Sequence, residues 1–448
     1  MSHVLTRFAP SPTGYLHAGN ARLALMNFLF TRHHGGRFLL RIDDTDTERS
    51  RPAYEEAIRQ DLHWLGIAWD DSLRQSERLD HYAEAAERLK AAGRLYPCFE
   101  SKEELDAKRE RRLRRGLPPV YDRAMLSLTP AQRAAAEAKG KRPYWRFRLS
   151  DGGFGWDDLV MGPQHVSLTT VSDPVLVRAD GTPLYTLTSV VDDIETGVSH
   201  VIRGADHVTN TAIQGDILAA LGASPSTVRF AHLPLLLDEA GGKLSKRLES
   251  VSLRKLRGNG IEPQALAAYL ARIGTALDLA PVDMAALVAE FDLAHVSRAP
   301  ARFDPAQLLA LNRHILRDLP FDQVAGRLPQ GATQAFWVAV RGNIDMLAEA
   351  RGWWDAVAGE IVPPVAETEE DRELLRAALD ALPPEPWDGE VWPHWTEALK
   401  RATGRTGRAL FLPLRVALTG DDHGPEMKAL LPLMGRARAA RRLELAAA

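Results

Sequence analysis

"HVLTRFAPSPTGYLHAGNARLALMNFLFTRH" (His3–His33) is the stretch on which the fold turns. Its first part, His3 to Ala9, alternates apolar and polar residues, is closed by prolines and reads as a strand. Its last part, Asn20 to His33, has apolar residues at helical spacing, with Asn20 at the expected N-cap. "GGRFLLRIDD" (Gly35–Asp44) then opens on a glycine pair and continues as an apolar strand. Strand, helix, strand at this spacing is a βαβ unit, so an α/β fold with a parallel sheet is predicted. "SRPAYEEAIRQDLHWLGI" adds another amphipathic helix.

Between strand and helix lies "PSPTGYLHAGN" (Pro10–Asn20), a turn at the C-terminal edge of the sheet, where open α/β sheets bind ligands. A helix N-terminus offers free N–H groups and partial positive charge to phosphate. Gly14 and Gly19 let backbone or ligand come close, and His17 is placed to touch a phosphate. Read alone, the same residues are a Pro/Gly-rich surface turn with a solvated histidine. No Gly-x-Gly-x-x-Gly is present, so a dinucleotide fold is not indicated. A second feature, "GGKLSKR" (Gly241–Arg247), sets three cations and a serine after an apolar strand. Flexible lysines can follow a phosphate as its charge redistributes. It is not a Walker A loop, because Leu244 follows Lys243. By itself it is also a basic surface turn.

Outward from these segments the texture changes at about Tyr96. "SKEELDAKRERRLRRGLPP" is charged and helical in pattern. "RPYWRFRLS" and "QHVSLTTVSDPVLVRADGTPLYTLTSVVDD" read as short strands with turns, so an inserted segment of mixed structure is expected. "TGVSHVIRGADH" returns to a buried strand and "TNTAIQGDILAALG" to a helix, followed by the apolar strand of "HLPLLLDEAGGKLSKR". Beyond Leu253 the pattern is mostly helical, as in "IEPQALAAYLARIG", and "VPPVAETEEDRELL" (Val362–Leu375) reads as a linker into a helix. No internal repeat is visible.

The 448 residues are 45% hydrophobic and 26% charged, an ordinary globular balance. The formal net charge of −3 neither supports nor excludes nucleic acid; an RNA partner would need local positive charge. The single cysteine, Cys98, excludes an internal disulfide and any Cys-rich zinc site, and fits a reducing compartment. The N-terminal residues lack the pattern of a secretory leader, and no apolar run approaches the roughly 20 residues of a membrane span. A cytoplasmic protein without membrane partners is expected.

The two motifs together resemble the signatures of class I aminoacyl-tRNA synthetases. The first, usually His-Ile-Gly-His, stands here as His17-Ala18-Gly19-Asn20; the second is "KLSKR" (Lys243–Arg247). "TRFAPSPTGYLHAGNARLALMNFLF" with "FLLRIDDTDTERS" is similar to glutamyl-tRNA synthetases in particular. The likeness continues through "LYTLTSVVDD", "HVIRGADH", "SVSLRKLRGNGIEPQALAAYLARIG", "ARFDPAQLLALNRHI" and "GRTGRALFLPLRVALTG", covering nearly the whole chain. The resemblance implies a Rossmann-like catalytic domain (1–95 and 190–250) split by an α+β insertion for the tRNA acceptor end (96–189). A helical stem-contact domain (251–318) and an all-helical anticodon-binding region (319–448) would follow. It implies a monomer that uses ATP with Mg²⁺ to convert L-glutamate to glutamyl-adenylate and transfers it to tRNA-Glu. An enzyme charging tRNA-Gln as well, or instead, is the alternative, and a non-catalytic RNA-binding paralogue is a further one. The helical C-terminal third argues against a glutaminyl-tRNA synthetase, whose C-terminus is a β-barrel.

By family position, His17 and Asn20 serve the ATP phosphates, Gly19 the adenine side, and Thr13 the same nucleotide. Asn20 is placed either to cap the helix or to bind phosphate. Lys243 and Lys246 would stabilise the transition-state phosphates, with Ser245 adding a hydroxyl. Arg7 and Arg203 would pair with substrate carboxylates, for which a forked guanidinium is suited. Ala9 and Ser11 would line the pocket, Tyr185 supply a hydroxyl and Asp43 meet the substrate ammonium. Three positions depart from the family pattern toward shorter side chains: Asp43 for Glu, Ser189 for Asn and Asp206 for Glu. "DDTDTERS" (Asp43–Ser50) lacks the sixth-position glycine of a calcium loop, so substrate binding and capping are expected there, not metal. Some relatives carry zinc in the insertion through several cysteines; Cys98 in "YPCFES" stands alone, and no zinc is expected. "KRERRLRRG" (Lys108–Gly116) and "GRARAARRLE" (Gly435–Glu444) are either RNA contacts or solvated faces. Trp353, Trp354 and Arg405 are candidates to read anticodon bases, core packing being the other role for the tryptophans.

Overall fold

The computed structural model describes residues 4–242 and 252–448. The chain forms two units, one of residues 1–255 with 267–304, the other of 256–266 with 305–448.

In the first unit, β1 (Leu5–Phe8), α1 (Ala18–His33) and β2 (Arg37–Ile42) make the expected crossover; β1 and β2 pair in parallel with Arg7 opposite Leu39. α1 is buried on nearly all sides, from Ala21 to Thr31 except Leu23, which explains its weak amphipathicity. α2 (Pro52–Trp64) leads to β3 (Asp71–Arg74), parallel to β2, and α3 (Leu79–Ala91) leads out of the sheet. The insertion follows. β4 (Leu95–Cys98), α4 (Lys102–Arg114), α5 (Pro130–Ala138), β5 (Tyr144–Phe147), the hairpin β6 (Gly153–Asp158) and β7 (Gly162–Ser167), and β8 (Val175–Val177) succeed one another. β4, β5 and β8 form an antiparallel sheet.

α6 (Tyr185–Thr196) then overturns part of the strand reading: "YTLTSVVDDIET" is a helix, and the expected boundary at 189/190 falls inside it. Its Thr and Val residues favour strands locally. Leu187, Val190 and Val191, however, share one helical face that is buried with Tyr82, Leu89 and Ile217, and tertiary burial outweighs the local preference. Gly197 ends the helix at φ 74°, a conformation that glycine adopts without strain.

β9 (His200–Gly204), α7 (Val208–Ala220) and β10 (Arg229–Leu233) follow, β9 and β10 pairing in parallel as a two-stranded sheet next to the first. Ser199 N–H donates to Leu5 O at 3.0 Å and Leu5 N–H to Ser199 Oγ at 2.9 Å, which sets β9 beside β1. The resulting order β3-β2-β1-β9-β10 is Rossmann-like. Its direction of winding reverses between β1 and β9, and a ligand crevice belongs outside their C-terminal ends.

The second unit contains no strand among its described residues. Its helices, Glu369–Asp380 and Val391–Thr403 among them, surround a core that includes Trp337, Trp395, Leu374 and Leu443. Trp353 and Trp354 pack against this core. Trp354 stands edge-on to Phe336 at 4.9 Å, and a Cβ on Gly424 would lie 2.0 Å from the Trp353 ring. Arg442, from the second basic run, is buried and donates to the carbonyls of Leu418 and Gly359; it is a structural residue. Arg405 pairs with Asp371 at 2.6 Å. No helix among the described residues is long and apolar enough to cross a membrane.

Candidate active site

A cleft of about 720 Å³ opens at the predicted place, outside the C-terminal ends of β1 and β9. Arg7, Ala9, Ser11, Thr13, His17, Gly19 and Asn20 reach it from β1, the following turn and the start of α1. Asp43 enters from the end of β2, Tyr185 from α6, and Arg203, Asp206 and His207 from β9 and the turn after it. Ser189 does not line it: the residue is wholly buried, and its hydroxyl accepts from Gln214 Nε2 at 2.6 Å. Lys243, Ser245 and Lys246 lie outside the described residues. Before that stretch Leu236 lines the cleft; after it Ser252 forms a bridge with His17, and Leu253 N–H donates to Leu16 O at 3.0 Å.

The helix begins differently from the sequence expectation. His17, not Asn20, is the N-cap: α1 starts at Ala18, and His17 Nδ1 accepts the Gly19 N–H at 3.1 Å. The ring reaches back over Gly19, where a Cβ would lie 3.0 Å from His17 Cε1. Asn20 is thus in the first turn, lining the cleft. Burial pushes the His17 pKa below 6.5 and favours the neutral ring. With Nδ1 accepting, the proton sits on Nε2, which becomes a donor. The cap is present above pH 6.5 and is lost only as pH falls through the lowered pKa. A pH profile of kcat/KM for ATP should therefore show a His17 limb below pH 6.5, absent in His17→Asn; a limb at 7 or above would reject this assignment.

Beside the cap is a buried charge cluster. Arg41 is fully buried and donates to Asp43 (2.7 and 3.2 Å) and to Asp193 (2.8 Å), with Asp192 at 3.7 Å. Arg7 donates to Asp193 at 3.1 and 3.4 Å. Arg78, Gln75 and Tyr82 hold Asp192 at 2.7–2.9 Å. Buried charges are tolerated only when paired in this way. Burial nevertheless raises Asp43 to about 6, outweighing the Arg41 charge. Asp43, expected to meet the substrate ammonium, thus has both oxygens engaged by Arg41. Arg7, expected to meet a carboxylate, already has one in Asp193.

Arg203 differs. It is buried, and its partners are all neutral: Gln214 Oε1 at 2.7 Å, Thr211 Oγ1 at 2.5 Å and Tyr185 OH at 3.3 Å. Its Nε has no partner, and burial lowers its pKa. A desolvated guanidinium that lines a cleft without an anion is a carboxylate site in waiting. The sequence treated Arg7 and Arg203 alike; the tertiary structure separates them. Asp206 folds back over Gly204, where a Cβ would be 2.5 Å from its Oδ1.

Asp192, Asp193, Thr211, Gln214 and His207 escaped the sequence reading. Tyr185, Ser189 and Asp193 lie one turn apart on α6, but the strand reading hid that spacing. His207 lines the cleft beside Arg203, and burial, then the Arg203 charge, lowers its pKa.

Residues 3–309 match the family model for the catalytic domain of class I tRNA synthetases (E and Q). The chain belongs to this family. Residues 361–447 match an anticodon binding domain, so the second unit of this class I synthetase carries the module expected there. "Glutamate--tRNA ligase 2" of Acidiphilium cryptum is 64% identical over 98% of this chain and 99% of its own length. The protein of that name from Gluconacetobacter diazotrophicus is 62% identical over the same shares. The crystal structure of a glutamate tRNA ligase from Elizabethkingia meningosepticum, in complex with its amino acid, superposes with a TM-score of 0.84 at 28% identity, covering 100% of this chain and 99% of that one.

Proposed function

We propose that this synthetase is a glutamate–tRNA ligase. The observation that carries the reading is Arg203, a cleft guanidinium held only by neutral side-chain oxygens and with its Nε unpartnered, in a family whose curated relatives bear that name. Glutamate brings two carboxylates and an ammonium. Arg203, with Tyr185, takes one carboxylate. The ammonium meets Asp206 and the lone pairs of Asp43 that its two bonds to Arg41 leave open, and Ala9 and Ser11 shape the wall. Ser189 acts from behind, through Gln214.

His17 donates from Nε2 to an ATP phosphate, and Asn20 and Thr13 add polar contacts at the helix start, where the N-terminal N–H groups also point. Gly19 keeps the nucleotide's path clear. Among the described residues this end of the cleft is lined by donors and by no carboxylate, so Mg²⁺ would be held by the nucleotide's own phosphates, where it neutralises charge. The glutamate α-carboxylate attacks the α-phosphate in line, pyrophosphate leaves, and the 3′-terminal adenosine hydroxyl of tRNA then displaces AMP. Lys243, Ser245 and Lys246 follow the charge onto pyrophosphate. Positioning and electrostatics supply the rate, with no covalent enzyme intermediate.

The insertion (96–189) takes the acceptor end, residues 251–318 the stem and 319–448 the anticodon. The first basic run is partly engaged within the protein: Lys108 pairs with Glu100 and Asp122, and Arg114 with Glu110. The insertion works without zinc. Its one cysteine is buried beside Tyr121, whose hydroxyl donates to Glu100. The enzyme acts as a cytoplasmic monomer.

Two measurements test this reading. Glutamate, not glutamine, should support ATP–pyrophosphate exchange in the presence of tRNA, and purified tRNA-Glu and tRNA-Gln assayed side by side fix the acceptor; exchange with glutamine alone would overturn the substrate. Lys246→Ala should lower kcat about 10²-fold with KM for glutamate nearly unchanged, as expected for one donor to the transition state.

A further inference from the structure

Behind Arg203 runs a buried line of hydrogen bonds that begins in the insertion. Asp158, at the end of β6, accepts from His232 Nδ1 on β10 at 2.5 Å; His232 Nε2 meets Thr211 Oγ1 at 2.9 Å; Thr211 Oγ1 accepts from Arg203 Nη2 at 2.5 Å. Asp158, His232 and Thr211 are all buried. None of the three lines the cleft.

The direction of each bond follows from the ends. Burial pushes Asp158 up, but His232 and backbone N–H groups outweigh it and hold the carboxylate down at about 2. Besides His232 Nδ1, Asp158 accepts the N–H groups of Val160 (3.1 Å), Met161 (2.9 Å) and His232 (3.1 Å). It is therefore an acceptor only, and the imidazole proton sits on Nδ1. With Nδ1 holding a proton against Asp158, Nε2 is the acceptor whenever the imidazole carries a single proton, and the Thr211 hydroxyl then donates to it and turns its lone pairs toward Arg203. Were the hydroxyl reversed, two donors would face each other. Gln214, one turn along α7, accepts from the other terminal nitrogen of Arg203. The guanidinium is thereby fixed in plane and rotation by two oxygens of one helix face. The hairpin is seated tightly there: a Cβ on Gly215 would lie 2.3 Å from the Phe154 ring of β6, so only glycine permits the approach.

We propose that Thr211, with its hydroxyl oriented by His232 and Asp158, is a positioning residue that sets Arg203 for the substrate carboxylate and so tunes glutamate affinity from the insertion. The inference rests on the proposed function. The experiment is steady-state aminoacylation with separate titrations of glutamate and ATP, for wild type, Thr211→Val, Thr211→Ser and Asp158→Asn. Thr211→Val keeps the shape and removes one bond to a charged group; it should raise KM for glutamate about tenfold, leaving kcat and KM for ATP within about twofold. Thr211→Ser should restore the wild-type value. Asp158→Asn, which frees the imidazole tautomer, should raise KM for glutamate about threefold, and it carries the test if Thr211→Val does not fold. Unchanged KM for glutamate in the folded variants, or an equal rise in KM for ATP, overturns the positioning role. A wild-type enzyme that does not use glutamate overturns the proposed function instead, so the two failures are separable.

Discussion

Arg203→Met should lower kcat/KM for glutamate about 10³-fold while leaving the thermal midpoint where it was or raising it. Removing one partner of a buried charge pair costs about 2–5 kcal/mol, and about 4 kcal/mol corresponds to that factor. The stability half of the expectation has a separate cause. Arg203 has no carboxylate in the free protein, and its burial lowers its pKa. At every pH below that value the charged form costs the fold stability, because the unfolded chain carries the same charge in water. An unbranched methionine refills the space; Thr211 keeps its bond to His232, Gln214 keeps its bond to Ser189, and Tyr185 lines the open cleft. Activity assays and melting curves on the two proteins decide the matter. Loss of stability in step with activity would make Arg203 a structural residue.

Arg41→Met should do the reverse and destabilise the first unit by about 3–5 kcal/mol, the usual consequence of removing one partner from a buried ionic group. Arg41 is fully buried and holds both oxygens of Asp43. After its loss Asp192 keeps Arg78 and Asp193 keeps Arg7, but Asp43 loses the cation that binds it. Asp43, already raised to about 6, should rise further. A carboxyl whose folded pKa lies above its unfolded value stabilises below the unfolded pKa and loses that contribution as pH rises through the folded one. The variant should accordingly recover part of its stability between pH 7 and 5, where wild type gains less. Urea unfolding at the two pH values reads this directly; a loss independent of pH would point to packing.

The two arginines show how far the sequence reaches. Local rules were enough for the βαβ start, because apolar periods and flanking prolines and glycines act within a few residues: β1, α1 and β2 lie close to where the pattern puts them. The pairing of "PSPTGYLHAGN" with the later basic loop gave the family, and the described members of that residue set, Ser189 apart, line one cleft. Local rules failed where long-range contacts compete with propensity. "YTLTSVVDD" carries strand-forming residues, yet becomes α6 because its apolar face is buried among residues far away in sequence. The N-cap moved from Asn20 to His17 because a ring nitrogen, unlike the usual capping hydroxyl or amide, reaches the helix amide only once Gly19 leaves room for it.

By itself, then, the sequence determined the α/β start, the phosphate-facing turn and the residue types available to it. Only the tertiary structure decided which charges are already spent. Arg7 and Arg203 are equivalent as letters, but Asp193 stands 186 positions from Arg7 in the chain and 3.1 Å from it in the fold, whereas Arg203 meets only neutral oxygens. Charge compensation depends on distance in space and on desolvation, and neither is a property of neighbouring residues in sequence.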